Sequence, residues 1–269
     1  METLDQQKLA KRTGYAPVNG INMYYELYGK GEIPLVLIHG GGSTIQSSFG
    51  EFLPLIVDYG KIIGVELQAH GRTSDRNAPE SFEQDADDVG GLLEYLNIPK
   101  ANFLGFSNGG TTTMQIAIRH PQIVNKIIIV SAAFKREGFI SGFFENMPHA
   151  TIDNMPQPLK DAYLDVASNE NGLHTMFRKD KERMINFKDI PDQLVQSISA
   201  PALIITGDQD VTTVDHAVLI SQMVKGSKLL VVPGTHGSFI GEVCSIVKGS
   251  KIPEATATVI VEFLQEPIV

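Results

Sequence analysis

The chain has 269 residues, 42% of them hydrophobic, enough to bury one large core or a core domain plus an insertion. Its 22 Lys and Arg against 31 Asp and Glu give a net charge of −9 with no basic cluster, a balance that repels nucleic acid and anionic membranes. The single cysteine, Cys244, excludes an internal disulfide and a cysteine-based zinc site.

Residues 1–14 are polar and carry no apolar run of the kind a secretory signal needs, so a frayed surface tail is expected there. No stretch is long and apolar enough to cross a bilayer, and a soluble, cytoplasmic protein is the expectation. Residues 15–18 and 21–28 then read as two strands around an Asn19-Gly20 turn, a strong hairpin signal. The apolar run 35–38 suits a strand buried on both faces and leads into His39-Gly40-Gly41-Gly42. Consecutive glycines after a buried strand let the backbone approach a ligand and offer it free amides. A phosphate-cradling loop would need the Lys-Ser/Thr partner that is missing here. His39 is expected to pack beneath the loop.

A helix is expected over 47–59, with Phe49, Phe52, Leu53, Ile56 and Val57 near helical spacing, and a strand over 61–65. A polar loop, residues 66–75, follows. The next helix, 81–96, has Ser81 as its cap and Gln84 in the capping-box position. Asp85, Asp87 and Asp88 in its first turns favour the helix dipole and read as a solvated helix start rather than a metal site.

Residues 102–106 form a short apolar strand, Ser107 follows, and a helix leaves toward His120-Pro121. Gly105-x-Ser107-x-Gly109 is a nucleophile elbow, in which glycines on either side let a strained serine pass between strand and helix. The run 126–130 is a further strand. From 131 to about 199 the βα alternation stops, and phenylalanines and methionines among prolines and charges read as a helical insertion. Alternation resumes with a strand at 202–206, a helix at 214–224, a strand at 229–232 and a terminal helix at 254–264.

Strands alternating with helices argue for a mostly parallel sheet covered on both faces, whose functional loops gather at the carboxyl ends of the strands. The triple glycine, Ser107, the loop carrying Asp208 and Asp210, and His236 would then share one edge. Acyl transfer needs a nucleophile, a base, a group that orients the base, and donors for the oxyanion. Ser107 supplies the first and His236 the second. Asp210 is the orienter, with Asp208 an open alternative. The amides of Gly41, Gly42 and Asn108 are candidates for the oxyanion hole. His216 is expected to pack or face solvent, and His70, His120, His149 and His174 have no partner motif. Cys244 follows no elbow and reads as a bystander.

LVLIHGGG, GFSNGG, ITGDQD and PGTHGS, in this order, resemble the signature segments of the α/β-hydrolase superfamily over residues 15–264. VELQAHGRTSD resembles its loop after the next strand, departing by Glu66 for the usual Asp and Ala69 for the usual Gly. The resemblance favours Asp210 as the acid. It implies an α/β-hydrolase core, residues 1–132 and 200–269, with a helical lid at 133–199, and a serine hydrolase that needs no cofactor. The expected substrate is a small molecule, a carboxylic ester of small to medium apolar character, with Phe139, Phe143, Phe144 and Met147 of the lid lining its pocket. A receptor-like binder on the same fold, or a lyase, perhydrolase or carbon–carbon hydrolase using the same residues, are the alternative readings. No metal, nucleic acid or membrane is expected to take part.

Overall fold

The computed structural model describes residues 11–167 and 169–268. Of the tail expected at 1–14, residues 1–10 lie outside the described residues. The hairpin strands β1 (Arg12–Val18) and β2 (Ile21–Tyr28) meet at Asn19-Gly20, and β1 takes in Arg12 to Gly14, which the polar composition had suggested would fray. Pairing with β2 gives these residues a ladder that composition does not reveal. The strands β3 (Leu35–Ile38), β4 (Ile62–Val65), β5 (Ala101–Phe106), β6 (Val124–Val130), β7 (Ala202–Gln209) and β8 (Lys228–Thr235) complete one eight-stranded sheet. Its order is β1-β2-β4-β3-β5-β6-β7-β8, parallel from β4 onward and antiparallel at β1 and β2.

The helix expected over 47–59 is broken. Instead α1 (Ile45–Phe49) ends at Gly50, α2 (Leu53–Ile56) restarts with a proline in its first turn, and a 3-10 turn covers Val57–Tyr59. Pro54 cannot donate to the preceding turn, so one continuous helix would lose that bond and clash. The helix α3 (Phe82–Tyr95) starts on Ser81, whose side chain accepts from the Gln84 N–H at 3.1 Å, while the Gln84 amide reaches Asp88 instead of closing a capping box. After β5 comes α4 (Asn108–Arg119).

Between β6 and β7 lie α5 (Phe143–Asn146), α6 (Gln157–Ala167), α7 (Glu170–Ile185) and α8 (Asp192–Gln196), a helical insertion above the sheet's carboxyl edge. Then α9 (Val214–Met223) and α10 (Ile252–Gln265) close the fold.

Strand side chains alternate between two cores. Val36 and Ile38 of β3 join Ala86, Val89 and Leu92 of α3, Met114 and Ile116 of α4, and Ile220 of α9 on one face. Leu35 and Leu37 point the other way, to Phe49, Leu53, Ile56, Ile260 and Phe263 of α1, α2 and α10. Helices on both faces of a mostly parallel sheet bury its backbone and aim the loops after β3, β5, β6, β7 and β8 at one edge.

Candidate active site

The strand β5 ends at Phe106 and α4 begins at Asn108, so Ser107 alone makes the turn, with φ 55° and ψ −120°. A side chain is disfavoured in this region, and the surroundings enforce it. A Cβ on Gly105 would sit 1.9 Å from the Gly109 carbonyl oxygen, and one on Gly109 would sit 2.2 Å from that of Ile38. The two glycines are therefore required by contact as well as by pattern. The Ser107 N–H donates to the Val130 carbonyl at 2.8 Å, which ties the elbow to β6. As the first residue of α4, Asn108 has an N–H with no intrahelical acceptor.

His236, just beyond β8, places Nε2 3.0 Å from the Ser107 Oγ and Nδ1 2.6 Å from Asp210 Oδ1. Its ring lies on Phe106, with centroids 4.7 Å apart. The Asp210 side chain is fully buried. Burial pushes its carboxyl up, but the hydrogen bond and charge of His236 and the Ser131 hydroxyl outweigh this and hold it below the usual range. An ionised carboxylate on Nδ1 selects the tautomer whose Nε2 accepts a proton. Hydroxyl, imidazole and carboxylate in this order can pass the serine proton to the ring. Asp208 is turned away: its carboxylate accepts from the Gly234 N–H at 2.8 Å and is exposed.

The loop after β3 lies against both elbow and lid. A Cβ on Gly41 would meet the Asn108 side chain at 2.5 Å, which puts Gly41 beside the start of α4. The Gly42 N–H is already engaged, donating to Asp180 Oδ2 of α7 at 2.5 Å. That carboxylate also meets His70 Nε2 at 2.9 Å and the guanidinium of Arg183. Arg183 reaches Asp85 at 2.8 Å and lies 3.8 Å from Glu80. Although burial pushes Asp180 up, Arg183 and His70 hold it ionised, well below the usual carboxylate range. Burial alone would lower His70, yet the Asp180 charge and hydrogen bond raise it to about 9. Burial lifts Asp85 to about 6 and Glu80 to about 8.

Asp85 and Asp88 are therefore not part of a solvated helix start, whereas Asp87 stays partly exposed. Asp88 pairs with Arg76, and Asp87 with Arg119 and His120. Among the described residues, no group of three or more His, Cys, Asp or Glu is placed to hold a metal ion. His39 is buried, its Nδ1 donating to the Gly40 carbonyl and its Nε2 accepting from the Leu67 N–H, and burial lowers it to about 3. His216 accepts from the Phe134 N–H and is buried. His149, His174 and Cys244 are exposed. Ala69 has φ 63°, which explains why Gly is the usual residue there.

Phe139, Phe143, Phe144 and Met147 pack with Phe187, Phe82 and Met184 as one aromatic cluster. Phe139 stacks on Phe143 with centroids 4.5 Å apart. Two other side chains of the insertion reach the glycine loop: Met155 Cε and Leu159 Cδ1 lie 3.2 and 3.8 Å from the position of a Cβ on Gly42.

Two groups of residues escaped the sequence reading. Lys179, Asp180 and Arg183 occur in a strongly charged helix that resembles a solvated one. Their spacing, which returns to one helical face, was the available signal, and the partners Asp75 and Asp85 appear only in the tertiary structure. Ser131 had only its position, directly after a strand at the edge where the other loops gather.

The sheet order, the strand-turn-helix serine and the imidazole beside it define an enzyme of the hydrolase class on an α/β scaffold. The profile of the α/β hydrolase fold family matches residues 33–180, and the chain belongs to that family. Among similar proteins, human serine hydrolase BPHL is 27% identical over 239 residues, covering 81% of this chain and 78% of its own. The 3-oxoadipate enol-lactonase 2 of Acinetobacter baylyi is 26% identical over 236 residues, covering 80% and 86%. A serine hydrolase involved in carbazole degradation superposes with a TM-score of 0.77 over 95% of this chain and 99% of its own, at 19% identity, a likeness of fold.

Proposed function

We propose that the protein is a serine hydrolase that cleaves a carboxylic ester, or a related acyl bond, of a small to medium apolar molecule through an acyl-enzyme on Ser107. The observation that carries this reading is the unbroken hydrogen-bonded line from Ser107 Oγ through His236 to Asp210, at 3.0 and 2.6 Å. As Ser107 Oγ attacks the carbonyl carbon, its proton passes to His236 Nε2. The ester C–O bond then breaks and the alcohol leaves with that proton. Water, deprotonated by the same ring, attacks the acyl carbon and returns the serine oxygen, which recovers its proton as the acid departs.

The oxyanion formed in each half is assigned to the Asn108 amide and the loop of Gly41 and Gly42. With the Gly42 N–H held by Asp180, Gly41 is the loop's donor in this state. The apolar wall of the acyl site is assigned to the lid, Met155 and Leu159 beside Gly42, with Phe139, Phe143, Phe144 and Met147 as its outer part. An apolar wall favours acyl chains over charged groups, each fitting methylene adding up to ~0.8 kcal/mol. The lactonase relative acts on a cyclic ester by name, which agrees with the bond proposed here and not with the apolar character, because an oxoadipate lactone keeps a carboxylate.

The test is a fluorophosphonate probe with a series of aryl esters of increasing acyl length. Labelling of Ser107, lost in Ser107→Ala together with turnover, is expected, and specificity should climb with chain length before it falls. Labelling of another serine, or a single acylation without turnover, would overturn the reading, the latter in favour of a receptor-like protein.

A further inference from the structure

Among the described residues, five other than glycine have positive φ: Asn19, Ala69, Asn97, Ser107 and Ser131. Asparagine tolerates this region, and Ser107 is the elbow. Ser131 has no such excuse. It follows β6 with φ 51°, is 1% exposed, and its backbone is pinned between neighbours: its N–H donates to the Ile205 carbonyl at 2.8 Å. The next turn of chain is tied to the elbow helix by Thr111, whose hydroxyl donates to the Ala133 carbonyl at 3.0 Å.

The strained backbone directs the side chain to one place. Ser131 Oγ donates to Asp210 Oδ2 at 2.5 Å. The other oxygen, Oδ1, accepts from His236 Nδ1 at 2.6 Å, from the Val211 N–H at 2.7 Å and from the Thr212 N–H at 3.4 Å. On Oδ2 the remaining donor is the Gly207 N–H at 3.3 Å, a long bond. The carboxylate is buried, so the hydroxyl is its principal contact on that side.

We propose that Ser131 is a positioning residue of the active site: its hydroxyl fixes the rotamer of Asp210 and draws charge from the carboxylate, which sets how strongly Asp210 holds His236. The proposal rests on the Ser107–His236–Asp210 reading. A strained serine persists where the surroundings over-determine it, and here the gain is a carboxylate saturated on both oxygens before substrate arrives. Without the hydroxyl, Oδ2 is under-solvated, more charge remains on the carboxylate, and the imidazolium form of His236 is favoured. The other ionisable groups at this place are Glu242, whose carboxyl lies within electrostatic reach of His236, and Asp208, which is bonded to the Gly234 N–H. Neither touches Oδ2.

Two variants separate positioning from stability. Ser131→Ala and Ser131→Gly both lose the hydroxyl, but glycine relieves the positive φ and alanine does not. Both are expected to lower kcat by a similar factor, roughly 5–50-fold, with KM little changed. In both, the acidic limb of the kcat/KM profile should move to higher pH by roughly 0.3–1 unit. Their melting temperatures should diverge, with the glycine variant the more stable. An unchanged kcat and pH profile in both would overturn the proposal. So would a kcat loss that follows melting temperature, present in the alanine variant and absent in the glycine variant, because that marks a structural role. Probe labelling of Ser107 in the parent protein keeps the two levels apart. If it fails, the underlying reading falls; if it holds while the Ser131 variants behave as wild type, only this proposal does.

Discussion

Asp180 is the residue on which the seating of the lid helix can be measured. Its carboxylate is buried and accepts from the Gly42 N–H, from His70 and from Arg183. Asp180→Ala removes the acceptor and leaves the Arg183 cation facing Asp85 and a Glu80 whose side chain has no hydrogen-bond partner, while His70 loses the charge that holds its proton against burial. Breaking a buried pair from one side costs about 3–5 kcal/mol, because an uncompensated charge stays behind. For a chain of this size each kcal/mol moves the melting temperature by ~2–4 °C, so a fall of roughly 6–20 °C is expected. Removing the orphaned cation as well should recover part of the loss. The double variant Asp180→Ala/Arg183→Met should be more stable than the two single losses summed, by about 1–3 kcal/mol. The sequence has no tryptophan, so circular dichroism at helical wavelengths is the suitable signal for thermal and urea unfolding. Single losses that add to within ~0.5 kcal/mol, or an Asp180→Ala variant that melts with the wild type, would refute the reasoning.

Asp210→Asn should keep the fold and cut kcat by about 10⁴-fold through the wrong His236 tautomer, whereas Asp208→Asn, which touches only the Gly234 amide, should leave steady-state rates near wild type. Gly109→Ala should destabilise by at least ~3 kcal/mol, seen in urea melts, because the new methyl lies 2.2 Å from a backbone carbonyl that cannot move aside. Stability should decline above mildly acidic pH. The folded state keeps its proton on Asp85 to about 6, on Glu80 to about 8 and on His70 to about 9, each above its ordinary value, so the unfolded chain releases protons first as pH rises. Below about pH 4 the ionised Asp180 and Asp210, both held below the usual range, reverse the trend, and a melting-temperature series from pH 3 to 10 checks both limbs. Dialysis against a strong chelator should leave esterase turnover unchanged, and a loss restored by added metal would contradict the metal-free mechanism.

Much of this molecule is written locally. The β-branched run at 126–130, the apolar run at 35–38, and the glycines around Ser107 state their structures in the sequence because each depends on a few neighbouring residues: side-chain alternation, backbone freedom and van der Waals contact. The order of the four marked loops then follows from the parallel sheet, which collects strand ends on one edge. That is why Ser107, Asp210 and His236, separated by 103 and 129 positions from first to second and first to third, fall on one edge of the sheet. What the sequence could not decide depends on which distant charge meets which. Asp85 and Asp88 belong to a helix start that any solvated helix could have, and only the approach of Arg183 and Arg76 makes them buried partners. Asp180 and Arg183 sit in a helix as polar as an exposed one, and Ser131 is an ordinary serine until the sheet brings its hydroxyl to 2.5 Å from Asp210. Patterns of period two and 3.6 record which face is apolar. They hold no record of the partner of a buried charge, which the tertiary fold alone selects by closing the lid helix onto the loop after β3.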